Sequence, residues 1–267
     1  MRYHLTEAPL VQALVQVRFP VSARLATVEG IAPVQQELRA TYPYMHQRHE
    51  MNIQLGAGIS PGITAGSSWE LSDDTGWSVI VAPDAATLAV GSAYEGVESF
   101  GERFSQLIEV LTKVESVPRC DRLGLRYISV AETSPGDETR WKDWFRPELV
   151  GWVGEGIVAK GTTVSSALNQ VQLSAPPTHL FAGAQSVQAL IRHGLVPSGS
   201  IIPGSPPVTT NAISYIVDID VSVEAPQPFK IDSLNDQFLE LHGQIDRFFR
   251  WTLAPEGEDH FGLEEVS

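Results

Sequence analysis

Residues 213–223 alternate with a period of two: Ile213, Tyr215, Val217, Ile219, Val221 and Val223 are apolar, and Ser214, Asp218, Asp220 and Ser222 stand between them. Only an extended strand puts alternate residues on opposite faces, so this run requires a sheet with one face on a core and the other polar. A lone strand of this kind is not stable, and the rest of the chain must supply neighbours and a cover. Candidate neighbours are 9–19, where Val11, Ala13, Val15 and Val17 alternate until Pro20, then 51–55, 87–90, 122–130, 164–173 and 187–191. A hairpin joins 68–71 to 77–81 through the polar turn Ser72-Asp73-Asp74-Thr75-Gly76. Two amphipathic helices supply the cover. Residues 99–115 carry Phe100, Phe104, Leu107, Ile108, Leu111 and Val114 on one face, with Ser99 and Glu102 spaced as a capping box. Residues 233–253 carry Leu234, Phe238, Leu241, Ile245, Phe248 and Phe249. Shorter helices are expected at 33–42, beginning at Pro33, and at 139–145. The fold class expected is therefore α+β, with mostly antiparallel sheet packed against two long amphipathic helices.

The two halves of the chain resemble each other. Val15-Gln16-Val17-Arg18-Phe19 and Leu123-Gly124-Leu125-Arg126-Tyr127 share the pattern apolar-x-apolar-Arg-aromatic, and the two long helices align Phe104 with Phe238 and Leu107 with Leu241. Each half reads strand, short helix, meander, long helix. The expected division is 1–118 and 119–255, one compact domain of two pseudo-repeated halves, followed by an acidic tail at 256–267. That tail holds Glu256, Glu258, Asp259, Glu264 and Glu265 with no Lys or Arg, and is expected to be solvated and partly mobile.

Composition narrows the function. With 18 Lys+Arg against 32 Asp+Glu, the net charge of −14 argues against a bulk grip on nucleic-acid phosphates and favours a basic partner. A single cysteine, Cys120, can make neither an internal disulfide nor a zinc cluster, which suits a reducing cytoplasm. No signal peptide or membrane span is expected.

Catalytic patterns are not recognised. The glycines in Gly56-Ala57-Gly58-Ile59-Ser60-Pro61-Gly62 are misplaced for a dinucleotide loop, and Ile157 stands where a phosphate-binding loop after Gly156 needs lysine. His46 and His49 are read as a polar surface pair rather than metal ligands, and His242 as a core or interface histidine. Cys120, between Arg119 and Arg122, could have a lowered thiol pKa but has no recognisable histidine partner. Asp218 and Asp220, at i and i+2, are read as a solvated sheet face in preference to a cation site. No cofactor and no metal are expected.

Two constellations remain. Arg18 and Arg126 lie opposite Val17 and Leu125 on their strands; either each pairs with an acid or lies in solvent, or both enter a groove between the halves and clamp a small anion through bidentate hydrogen bonds. The 197–207 stretch, rich in Pro, Gly and Ser, is then a lid or disordered. The aromatic residues Trp141, Trp144, Phe145 and Trp152, together with Phe248, Phe249 and Trp251, are either core or a partner surface, and Trp141, Trp144, Phe248, Phe249 and Trp251 are the interface candidates.

Pro9-Leu10-Val11 leading into Val17-Arg18-Phe19, the hairpin at Gly76-Trp77, Tyr94, Phe100 and Phe104, the segment Arg122-Leu123-Gly124-Leu125-Arg126-Tyr127-Ile128, and Leu241-His242 through Phe248-Phe249 to Phe261-Gly262 together resemble a sporadically distributed family of uncharacterised bacterial proteins. That family usually has Asn where this chain has Ser129. The resemblance implies a shared fold and no particular activity; sporadic distribution suggests horizontally transferred genes such as those of defence, toxin–antitoxin or phage-borne systems. The function expected is a non-enzymatic, cytoplasmic protein-binding or accessory protein, antitoxin-like or part of a bacterial or phage defence system, with a basic partner or a second copy. The alternative is a binder of a small anionic ligand or nucleotide between the halves.

Overall fold

The computed structural model describes residues 2–53, 63–133, 140–154, 164–181 and 183–266. In chain order the elements are β1 (Arg2–Leu5), β2 (Leu10–Arg18), α1 (Val28–Leu38), β3 (Tyr44–Ile53), β4 (Ile63–Ser72), β5 (Trp77–Ala82), β6 (Ala85–Val90) and α2 (Val97–Glu115). They continue with β7 (Arg119–Glu132), α3 (Trp141–Trp144), α4 (Pro147–Gly154), β8 (Ala167–Ala175), β9 (Val187–Val196), β10 (Ile201–Ile202) and β11 (Val208–Thr209). The last are β12 (Ser214–Pro228), α5 (Ile231–Thr252), α6 (Pro255–His260) and β13 (Leu263–Val266). The fold is thus mixed α and β, and its centre is a nine-stranded antiparallel sheet in the order β3-β4-β5-β6-β2-β7-β12-β9-β8.

Alternation decides which face of that sheet is closed. Val15, Val17, Val79, Leu88, Leu123, Leu125, Val217 and Ile219 are all buried on one side, where α2 and α5 lie across them. The two helices meet through Phe238, whose ring sits 5.5 Å from Phe100 and 5.4 Å from Phe104. They approach at Gly101, where an added Cβ would come within 3.3 Å of the Phe238 ring. The resulting core is one cluster whose buried members run across the sheet from β4 to β9.

Local chemistry fixes several boundaries differently from the sequence expectation. α1 begins at Val28 rather than Pro33, because the Thr27 side chain accepts the Gly30 N–H and caps the helix six residues upstream of the proline. α2 begins at Val97 after Gly96, so Ser99 lies inside the helix and donates to the Gly96 carbonyl instead of capping. The β4–β5 turn follows its sequence: Asp73 Oδ1 accepts from the N–H groups of Thr75, Gly76 and Trp77, with Gly76 at φ 104°, a conformation glycine adopts without strain.

The tail, expected to be mobile over 256–267, is folded across its described residues 256–266. α6 and β13 occupy it, β13 pairs antiparallel with β1, and Phe261 is buried between Trp144 and Phe145. Phe261 gives the segment an apolar anchor that its run of acids does not reveal. The 197–207 stretch is likewise ordered. It carries β10 and, with β11, forms a short hairpin whose Ile202 and Val208 pack on Ile128, Val130, Val196 and Ile216, a second small core on the far face of the sheet. Among the described residues no helix is long and apolar enough to cross a membrane.

Candidate functional site

The face of the sheet turned away from α2 and α5 collects the charged members of the alternating strands. β2 brings Gln16 and Arg18, β7 brings Arg122 and Arg126, β9 brings Arg192, and β12 brings Asp218 and Asp220. The register sets Arg18 across from Arg122 and Leu14 across from Arg126, so Arg18 and Arg126 share the face at different levels and do not form one clamp. Arg126 instead grips an aspartate. Its Nε donates to Asp218 Oδ1 at 2.7 Å and its Nη2 to Oδ2 at 2.8 Å, and Arg192 Nη1 reaches the same Oδ2 at 3.0 Å. The Asp218 side chain is only 1% exposed, so this carboxylate is held by two guanidinium groups in place of water. Burial acts to lower the Arg126 pKa, and the Asp218 bonds outweigh it, leaving the guanidinium above its usual range. Asp220 stands 3.6 Å from Arg122; burial pushes its carboxyl up despite that partner. With these counter-ions, Asp218 and Asp220 make an ion-pair ladder, and no group of three or more metal-ligating side chains occurs among the described residues.

Arg18 is exposed and donates Nε to Gln16 Oε1 at 3.2 Å, to which Arg122 Nη1 also donates at 3.4 Å. Gln16 Nε2 then donates to Thr87 Oγ1 at 3.0 Å. Beyond this chain lies a cleft of about 280 Å³, floored by Leu14, Ile80 and Ala82, flanked by Arg48 and Arg126, and roofed by Pro203, Gly204 and Ser205. The roof is pinned from two sides. Gln12, 2% exposed, donates Nε2 to the Pro206 carbonyl at 3.0 Å and accepts the Ser205 N–H at 2.8 Å; Arg48 Nη1 donates to Ser205 Oγ at 2.9 Å. No sequence pattern pointed to Arg48, Ser68 or Thr87, because single polar residues in strands carry no motif.

The aromatic interface candidates divide. Trp141 is buried and donates Nε1 to the Ala131 carbonyl at 3.2 Å; Trp144 is buried against His260, ring on ring at 4.0 Å; Phe249 is buried in the main core. These three are packing residues and not a partner surface, since their rings are already covered by the chain itself. The Trp152 side chain lies outside the described residues. Phe248 and Trp251 are on the other side of α5: Trp251 is 44% exposed, its ring 5.4 Å from Phe248. Phe248 borders an apolar groove of about 160 Å³ shared with Leu173, Ile191 and Val221.

That groove runs beside the sheet's open edge. β8 pairs with β9 on one side, and no described strand lies on the other. From Leu168 to Ala175 it is exposed along its length, it carries no charge and no proline, Leu173 and Ala175 line the groove, and Val171 is exposed on the same face of the strand. His46 and His49 lie in the opposite edge strand, β3, rather than on a helix. Cys120 is fully buried with Sγ 3.2 Å from the Arg122 carbonyl, and burial pushes its thiol up to about 12, against the lowered value its arginine neighbours suggested. No protein-family model matches the chain, and no curated protein matches it either.

Proposed function

We propose that the protein is a non-enzymatic binding protein that captures an extended segment of a partner protein along β8. The observation that carries this reading is the edge strand itself: among the described residues no strand pairs with the outer side of this uncharged, exposed strand, which lies next to an apolar groove. An added strand satisfies those backbone groups, and alternate side chains of the segment enter the groove beside Phe248 and Leu173. Natural edge strands are ordinarily blunted by charge or proline, and β8 has neither. The net charge of −14 favours a basic partner by steering the encounter. The resemblance to horizontally transferred genes makes an accessory or antitoxin-like role in a defence system the biological setting we propose.

Two related halves fit the strand order. From the central pair β2–β7 outward, one side reads β6, β5, β4 and the other β12, β9, β8; each half leaves its first strand for the edge, returns beside it, and ends in a long helix. The additional β3 lies beyond β4 at the first half's edge and has no counterpart beyond β8 among the described residues, so we place the binding edge in the second half.

The test is co-purification from the native host with the wild-type chain and with Val171→Lys/Leu173→Lys, paired with light scattering over a hundredfold range of concentration. A stoichiometric basic protein retained by the wild type and lost from the variant, with the variant still folded, supports the reading. Equal retention by both, or a concentration-independent monomer that retains nothing, overturns it.

A further inference from the structure

The open face holds a second feature that strand capture does not use: the roofed cleft between β4, β6, β2 and β7. Its wall contains a hydroxyl with nothing to bond. Ser68 is 6% exposed and its Oγ has no hydrogen-bond partner among the described residues, although a buried donor left unmet ordinarily destabilises a fold by about 1–3 kcal/mol. Thr87, also buried, points the same way. Arg18 and Arg122 both donate to Gln16 Oε1, which fixes the amide so that Nε2 donates to Thr87 Oγ1, and this leaves the Thr87 O–H as a donor at the cleft. Arg126 completes the set. Its fork to Asp218 occupies Nε and Nη2, Nη1 carries two further N–H groups, and the residue lines the cleft.

Each of these groups can donate to an anion, and the Asp218 carboxylate beside Arg126 is already shared between two guanidinium groups. Among the described residues no carboxylate lines the cleft, in a chain that is strongly acidic overall. Arg48 on the flank is already engaged by Glu70 and Ser205, the apolar lining comes from Leu14, Ile80, Ala82 and Ala85, and no aromatic ring lines the cleft for a base to stack on. Its volume of about 280 Å³ is at the low end for organic ligands. We propose that this cleft binds a small aliphatic carboxylate, its two oxygens taking the Ser68 and Thr87 hydroxyls and Arg126 Nη1, and its carbon body lying on Leu14 and Ile80 beneath the 203–205 roof. Arg18 acts at one remove, by polarising Gln16 and through it Thr87.

The experiment uses the full chain at pH 7.5 in a carboxylate-free buffer and reads thermal stability and calorimetric binding with valerate, acetate, inorganic phosphate and the neutral isostere valeramide. The expected order is a rise in Tm with valerate, a smaller one with acetate, and none with valeramide or phosphate. Ser68→Ala removes only an unbonded hydroxyl. It should leave the ligand-free Tm unchanged or higher and weaken valerate about tenfold, and Ser68→Ala/Thr87→Val about a hundredfold. Equal response to valeramide, a response to phosphate alone, no response to any probe, or undiminished valerate binding in the folded double variant each overturns the assignment. Val171→Lys/Leu173→Lys, far from the cleft, should bind valerate as the wild type does, so failure here and failure of strand capture are read separately.

Discussion

The two faces of the one sheet are held by different forces. On the closed face, apolar side chains from β2, β5, β6, β7 and β12 meet Phe100, Phe104 and Phe238 from two helices, and the attraction is non-directional burial. On the open face, Asp218 is gripped by Arg126 and Arg192, and a two-strand flap is tied down by Gln12. Directional bonds of that kind specify geometry more than they add stability, because desolvation offsets much of the attraction. A protein can build a site on a face of the second kind, where polar groups are already fixed in place, at little risk to the core beneath.

The sharpest way to break this contrast is Phe238→Ala. The ring is 1% exposed and joins both long helices, so truncation should cost about 3–5 kcal/mol in urea unfolding. Asp218→Ala comes next. It strands two guanidinium groups that are 20% and 32% exposed, and their partial access to water reduces the loss to about 2–3 kcal/mol. If Asp218→Ala proves costlier than Phe238→Ala, the ordering of the two faces is wrong. Gln12→Ala should cost least, about 1–2 kcal/mol for two buried hydrogen bonds. Its signature is local: amide exchange should accelerate at 200–210 while the protection of β7 and β12 is retained. Uniform acceleration would mean that the flap and the sheet open as one unit.

The closed face was largely legible in the sequence and the open face was not. Phe104, Leu107, Leu111 and their counterparts Phe238, Leu241 and Ile245 recur at helical spacing, and burial follows from spacing alone. The partner of Arg126 lies 92 residues away, and only the register of β7 against β12 brings Asp218 to it. Residues 164–173 read correctly as a strand, yet nothing local distinguishes an edge from a centre, since exposure of β8 depends on which strands are absent beside it. Trp141 and Trp144 were ambiguous for the same reason: an aromatic residue is equally at home in a core or an interface until its neighbours are known. Ser68 and Thr87 were invisible, because what marks them is an unmet or redirected bond.

The contact of Phe238 with Phe100 and Phe104 has a meaning for the order of synthesis. α2 leaves the ribosome about 130 residues before the part of α5 that covers it. At the usual 5–20 residues per second, its apolar face waits on the order of ten seconds for its partner. The first half of the nascent chain therefore spends that interval with an oily helix and an incomplete sheet, and a chaperone that recognises such surfaces would have its natural opening then.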